Sequence, residues 1–433
     1  MQMGIGLGIN RGTGATARSD AYWSEDFLAT GVWNASGIWR DAILLGSNDF
    51  LASGSWNRSG VWSDNAPLPT SLYLSRQVDA GAGQVDIAVP GDSWSNGDSY
   101  WLRQFAVAMQ TTYGNGGIGY VGFQWFGTSS GTWVDGGTQP SGGGAGCARG
   151  DLVSNPVFDG AWSSDNGGQP GGTAAPSIGY AETSAASAYV RFTVPAGHNA
   201  ADLFFVGTAA GGTVEYSWNG GSSWETAINI SGTDGVVGVT ALANVPGTAA
   251  TLRLRRASGT IRLAGVNLKS ATAGVRVHKL GASGSNTIQW AAVDLEEWAA
   301  NLTLLNAKSA ICILGTNDAS GGTTPASVAA NASAIMNAVR DENPAIDRIW
   351  LMPPERATGV PTTYAMTEYA EAVRRVSVRD GFGFINLQQS WGADPAAYAF
   401  GQPGALMDST NRHPATATGG LITSNAVRAA IEP

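Results

Sequence analysis

From about residue 273 to the C-terminus, short apolar runs alternate with stretches of helical spacing, and this rhythm restricts the fold more than any other feature of the chain. VRVHKLG is followed by IQWAAVDLEEWAANL, SAICILG by SVAANASAIMNAVRD, DRIWLMPP by TEYAEAVRRVSVRD, and GFINL by GGLITSNAVRAAIE. Strands that alternate with helices predict a mostly parallel sheet covered on both faces, a three-layer α/β domain. An earlier segment carries the same signature. VDIAV (85–89) reads as a strand, PGDSWS follows it, YWLRQFAVAM (100–109) has helical spacing, and GNGGIGYVGF (114–123) then reads as a Gly-rich turn.

The intervening stretch reads differently. Across residues 146–273, SAYVRFTV, DLFFVG, TVEYSW, ATLRLRR and TIRLAGVNL are short strands, several of alternating polarity, separated by turn signals such as WNGGSSW. That pattern predicts a β-sandwich, jelly-roll-like, inserted into the α/β domain. The expected division is 1–85, a small β-rich N-terminal region; 86–145, the first part of the α/β domain; 146–273, the insert; and 274–433, the second part. A length of 433 residues leaves room for it. So does the composition, with 60 Gly and only 13% charged residues, which favours short strands and tight turns over long surface helices.

Residues 1–85 contain an internal repeat. FLATGVWNASGIWRD (27–41) is echoed by FLASGSWNRSGVWSD (50–64), with Trp33 matching Trp56 and Trp39 matching Trp62. Each copy reads as a small hairpin. Its Trp stripe suits packing against another chain or domain, the preferred reading, or stacking on sugar rings.

Several classes are excluded. The net charge is −9 without any basic run, so nucleic acid is a poor partner. No apolar stretch is long enough to span a membrane. MQMGIGLGIN lacks a basic n-region and a long apolar core, so no secretory signal peptide is expected; work outside a cell needs another exit, such as lysis. Cys147, in a Gly-rich loop, and Cys312, in AICIL, read as inert thiols. No histidine cluster has ligand spacing, so neither a metal nor a cofactor is expected.

Four segments can carry chemistry. Gly91-Asp92-Ser93 lies between a strand and a helix, at the carboxyl edge of a parallel sheet, where such folds place ligands. The helix N-terminus there offers free N–H groups to a developing oxyanion. Gly281-Ala282-Ser283-Gly284-Ser285-Asn286 follows a second strand, and a glycine there lets its N–H approach a substrate oxygen. Gly315-Thr316-Asn317-Asp318 follows AICIL, and the Asn317 amide can donate to the same oxygen. His413-Pro414 lies near the C-terminus, with Asp408 before it. Of three histidines, His278 falls in the strand VRVHKLG and His198 in an insert loop, which leaves His413 to serve Ser93.

Together these blocks resemble the SGNH hydrolases, also called GDSL esterases and lipases. Gly91-Asp92-Ser93 matches the GDS block, Gly284 the Gly block, Gly315, Asn317 and Asp318 the GxND block, and His413 the late DxxH block. The resemblance covers about 86–145 and 274–433 and implies a serine esterase with an SGNH-type sheet, in which Ser93 attacks an ester carbonyl as His413 takes its proton, while the Ser93 and Gly284 N–H groups and the Asn317 amide hold the oxyanion. One position departs. The family acid lies three residues before the histidine, where this chain has Thr410. Asp408 lies five before, so either it still reaches His413 to complete a triad, or a backbone carbonyl orients the ring of a Ser–His dyad. YGNGGIGYVGF and the position of the insert resemble bacterial peptidoglycan and polysaccharide O-acetylesterases, whose insert resembles a carbohydrate-binding module. That resemblance implies a bacterial surface polysaccharide or peptidoglycan as partner and an O-acetyl ester as substrate. MGIGLGI and the Trp repeats resemble bacteriophage virion proteins. They imply a virion or extracellular location, contacts of residues 1–85 with other virion proteins such as those of a tail fiber, and a homo-oligomer. The rival reading is a non-catalytic glycan-binding adhesin or structural protein of a phage particle.

Overall fold

The computed structural model describes residues 54–56, 62–64, 83–97, 100–123, 156–164, 172–209, 211–357, 362–392 and 394–432. Gly54–Trp56 pairs antiparallel with Trp62–Asp64, Trp56 opposite Trp62, within the second copy of the Trp repeat. The first copy, most of the expected attachment region and Cys147 lie outside the described residues.

Five strands form one parallel sheet: β1 (Gln84–Gly91), β2 (Gly274–Gly281), β3 (Ala307–Ile313), β4 (Asp347–Met352) and β5 (Gly383–Asn386). Their order is β2-β1-β3-β4-β5, every neighbour parallel. The winding reverses between β1 and β3, and a doubly wound sheet opens a crevice at such a point, outside the strands' carboxyl ends.

Alternation along the strands sorts side chains onto two faces. Ile87, Val89, Ile311, Ile313, Ile349 and Leu351 join a core with Trp94 of α1 (Ser93–Asn96), Phe105 of α2 (Leu102–Tyr113) and, later in the chain, Val427 of the C-terminal helix Gly419–Ile431. Ala310, Cys312 and Trp350 face the other way, onto Trp298 and Leu302 of α3 (Leu295–Leu304), Ile335 of α4 (Pro325–Glu342) and Tyr369 of α5 (Met366–Asp380). Cys312 is fully buried and unpaired. The segment IQWAAVDLEEWAANL, expected as one helix, forms two, Thr287–Ala291 and α3. Asp294 breaks it because its carboxylate caps the second helix, accepting from the Glu297 N–H at 3.1 Å.

Between α2 and β2 the chain builds two antiparallel sheets. One has the order Ile228–Asn229, Gly212–Ser217, Ala250–Gly259, Tyr189–Val194, Val157–Asp159; the other centres on His198–Val206 and Ile261–Ser270. Val190, Phe192, Leu252 and Leu254 from the first meet Leu203, Leu263 and Val266 from the second in one apolar core. Gly119–Gly122, read from sequence as part of a Gly-rich turn in the α/β domain, pairs with Ile261–Ser270 instead. The change of sheet therefore precedes residue 145, and the first strand starts at Gln84, ahead of residue 86. The loop ahead of Ala181–Thr183 docks on α3, where the Trp298 indole donates to Pro176 O at 3.2 Å and the Asn301 amide to Ala174 O at 3.1 Å. Val237 of the second sheet donates its N–H to the Glu297 carboxylate.

Two of the three histidines sit where the chain passes from one sheet to the other. His278 Nδ1 accepts the Tyr120 N–H at 3.2 Å while Nε2 faces Asp86 Oδ1 at 2.9 Å. His198, which opens a strand rather than lying in a loop, accepts the Ile118 N–H at Nε2, 3.3 Å away, and its Nδ1 lies 3.0 Å from Pro195 O. Each ring needs one bare nitrogen for these contacts. Burial lowers both pKa values and the Arg276 charge lowers them further, against the pull of Asp86 on His278 and of Pro195 O on His198. Burial would raise the Asp86 carboxyl, but its hydrogen bonds and charge contacts with His278 and Arg276 outweigh that and hold it below its ordinary value.

A pH dependence of stability follows. Below about pH 6.5 the unfolded chain binds protons at positions 198 and 278 that the folded chain refuses, so these two sites destabilise the fold as pH falls. Buried Asp92 has the opposite sign: its carboxyl is raised to about 7, so its neutral form adds stability over the same range. Comparison with His278→Gln cancels the Asp92 contribution. We expect the melting temperature of wild type to drop further than that of the variant between about pH 7.5 and about pH 5. Equal drops would remove His278 from this account.

Candidate active site

All four sequence blocks meet at the carboxyl edge of β1, β2 and β3. Gly91 ends β1 at φ 154°, and a Cβ there would stand 2.4 Å from Ile313 O, so only glycine lets the two strands approach this closely. Asp92 then caps α1, its Oδ1 accepting the Trp94 N–H at 2.9 Å, and this puts Ser93 on the first turn with its N–H uncommitted to helix bonding. Ser93 Oγ lies 2.8 Å from His413 Nε2, the hydrogen bond that a nucleophile needs with its base.

Asp92 is fully buried. Burial raises its carboxyl to about 7, with Asp318 adding like charge and the Trp94 N–H and the Arg356 guanidinium opposing. Asp318 is itself raised by burial, countered by Thr287, whose N–H and hydroxyl both donate to it, the hydroxyl at 2.6 Å. Asp318 thus fastens the β3 loop to the start of the helix after β2. The Asn317 amide donates to Ser285 O at 2.8 Å and faces Asp92 Oδ2 at 3.4 Å. Gly284 has φ 83° and nothing within 4 Å of where a Cβ would sit, which leaves open space around its backbone.

His413 ends a tight turn. Met407 and Pro414 form an antiparallel bridge, the Asp408 N–H donates to His413 O at 2.9 Å, and the Asn411 N–H donates to Asp408 O at 2.9 Å. Asn411 adopts φ 56°, a conformation asparagine tolerates, and the two extra residues of DSTNRH are taken up there. Asp408 Oδ1 accepts from the Thr410 N–H at 3.0 Å and its hydroxyl at 2.6 Å. Its Oδ2 stands 3.6 Å from His413 Nδ1, an ion-pair distance longer than a hydrogen bond. Among the described residues no backbone carbonyl bonds to that nitrogen either. Burial would raise the Asp408 carboxyl, but His413 and Thr410 outweigh it and bring it down to about 2.

Tyr100, which no sequence motif marks, stacks on the His413 ring with centroids 4.6 Å apart and planes inclined by 9°. Arg356, also unmarked, donates to Thr316 O at 2.9 Å beside the Asn317 loop. Among the described residues no group of three or more His, Cys, Asp or Glu is placed to hold a metal, and no helix is long and apolar enough to cross a membrane.

A serine hydroxyl bonded to an imidazole at a switch point, with amide donors from two further loops, is the constellation of a serine hydrolase. Residues 247–417 match the GDSL-like Lipase/Acylhydrolase family. The match includes Gly284, Asn317 and His413 and stops short of Ser93, which the antiparallel sheets separate from the later blocks. Among solved structures, the chain is similar to a peptidoglycan O-acetylesterase at 18% identity, with 83% of this chain and 93% of that one covered and a TM-score of 0.62. A mutant of Axe2, an acetyl-xylooligosaccharide esterase from Geobacillus Stearmophilus, is similar at 19% identity over 37% of this chain and 73% of that chain, with a TM-score of 0.30. No curated protein sequence matches. The family match is thus confined to residues 247–417, and the fold of the chain is similar to that of the peptidoglycan O-acetylesterase.

Proposed function

We propose that this chain removes O-acetyl groups from a bacterial surface glycan. The observation that carries the hydrolytic half of this reading is the 2.8 Å contact of Ser93 Oγ with His413 Nε2 at the edge of the parallel sheet. His413 accepts the Ser93 proton as Oγ attacks the acetyl carbonyl. The Ser93 and Gly284 N–H groups and the Asn317 amide hold the oxyanion, and Asn317 turns to it the hydrogen that now faces Asp92 across the longer of its two contacts, 3.4 Å. His413 then protonates the leaving sugar oxygen, and water, deprotonated by His413, releases acetate. Asp408 completes a triad by holding the imidazolium charge.

The substrate half rests on the likeness to a peptidoglycan O-acetylesterase, which extends over 83% of the chain and so takes in the antiparallel sheets as well as the parallel one. We read those sheets as an inserted β-sandwich that presents the glycan. An acetate-release assay over purified peptidoglycan and O-acetylated polysaccharides, with 4-nitrophenyl acetate as a generic ester, tests both halves. Release from an acetylated glycan is expected at a kcat/KM well above that on the generic ester, since remote sugar contacts supply binding energy to the transition state. Turnover of the small ester with no glycan substrate would retain the esterase and discard the glycan.

A further inference from the structure

The His413 imidazole has one short bond at its edge and an aromatic ring against its face. Nε2 engages Ser93, but the opposite edge has no short bond: Asp408 Oδ2 is 3.6 Å from Nδ1. The Tyr100 ring lies on its face, parallel to it within 9° at 4.6 Å between centroids. Tyr100 is itself locked in place. Its N–H donates to Gly97 O at 2.9 Å, a Cβ on Gly97 would fall 2.0 Å from its ring, and a Cβ on Gly420 would fall 1.7 Å from its carbonyl oxygen. Two glycines thus make room for this one tyrosine, one capping the end of α1 and one at the start of the C-terminal helix.

We propose that Tyr100 is a positioning residue for His413: its ring holds the imidazole plane toward Ser93 and stabilises the imidazolium formed during attack. This rests on the reading of Ser93 as nucleophile and His413 as base. An aromatic face is electron-rich, so a cation lying on it is attracted, more strongly where water is partly excluded. The groups against the imidazole are Ser93 at Nε2, the Asp408 carboxylate opposite Nδ1 and the Tyr100 ring on its face. Burial and the Asp408 charge raise the phenol's pKa, so it remains neutral wherever the enzyme works.

Removing the stack should weaken the base and loosen it together. Tyr100→Leu is expected to lower kcat about tenfold with little change in KM, and to move the acid limb of the rate profile down by about half a unit to one unit. Tyr100→Phe, which keeps the ring, should stay near wild type. Incorporating 4-cyanophenylalanine at position 100 keeps shape and packing but depletes the ring face, and should reproduce part of the downward shift. That variant keeps the question open to test even if the leucine variant folds poorly. The same shift should appear in an NMR titration of the His413 ring in substrate-free protein, a measurement that needs no turnover. Wild type inactive on every ester, with the titration shift still present, would discard the esterase reading and keep the contact. An unmoved His413 titration in the leucine and cyano variants would overturn the proposal, as would a phenylalanine variant that loses as much as leucine.

Discussion

Replacing Ser93 with alanine is expected to cut kcat on acetyl esters by about a million-fold while leaving the fold intact. Among the described residues Ser93 carries the hydroxyl that is hydrogen-bonded to the base. Asp92 is buried behind the serine and is engaged with the Trp94 N–H, and Cys312 is on the far face of β3 with its thiol pushed up by burial and by the charges of Asp92 and Asp318. What survives is the oxyanion donors acting on attacking water, typically worth about a thousandfold over water alone. Stability should hardly move. The only side-chain bond lost is the half-buried one to His413, whose Nε2 can turn to water, and such a bond is worth about 1 kcal/mol. The check is a side-by-side rate on 4-nitrophenyl acetate with thermal melts of both proteins. A variant that folds and keeps a tenth of the wild-type rate would move the nucleophile elsewhere.

How much of this could be read from the chain differs by element. The parallel sheet was legible because its strands are buried on both faces: AICIL and DRIWLM carry near-continuous apolar runs, and the helices between them carry their own spacing. The four blocks were legible because each follows a strand, and a parallel sheet gathers its carboxyl ends on one edge. Pairing was not legible. Hydrophobic period gives the type of an element and not its partner, so Gly119–Gly122 read as a turn although it hydrogen-bonds to a strand more than a hundred residues later. The two junction histidines escaped for the same reason, as did Tyr100, whose contact with His413 spans most of the chain. Nor does a sequence show burial around one carboxyl. Asp92 and Asp318 look alike in GDS and GTND, yet only the folded crevice puts both out of water and raises both.

Asp408→Asn should cost about a thousandfold in kcat with little change in KM, and should be worse than Asp408→Ala. The reason lies in which oxygen is already committed. The Thr410 N–H and hydroxyl both donate to Asp408 Oδ1, at 3.0 and 2.6 Å, and only an oxygen can accept them. In the asparagine variant the amide oxygen keeps that place, and the NH2 group takes the position of Oδ2, facing His413 Nδ1 across 3.6 Å. A donor there favours a bare Nδ1 and drives the ring proton onto Nε2, the nitrogen that must be free to take the Ser93 proton. Alanine removes the carboxylate without imposing that tautomer, because water can accept from Nδ1. The wild-type carboxylate is held down to about 2, where His413 and Thr410 outweigh the effect of burial. It is therefore ionised throughout the assay range, so Asp408 does not shape the acid limb of the rate profile. Rates of the three proteins on one ester, with KM from the same series, decide the matter. If both variants keep more than a tenth of wild-type kcat, Asp408 only shapes the turn through Thr410, and the site works as a Ser93–His413 dyad.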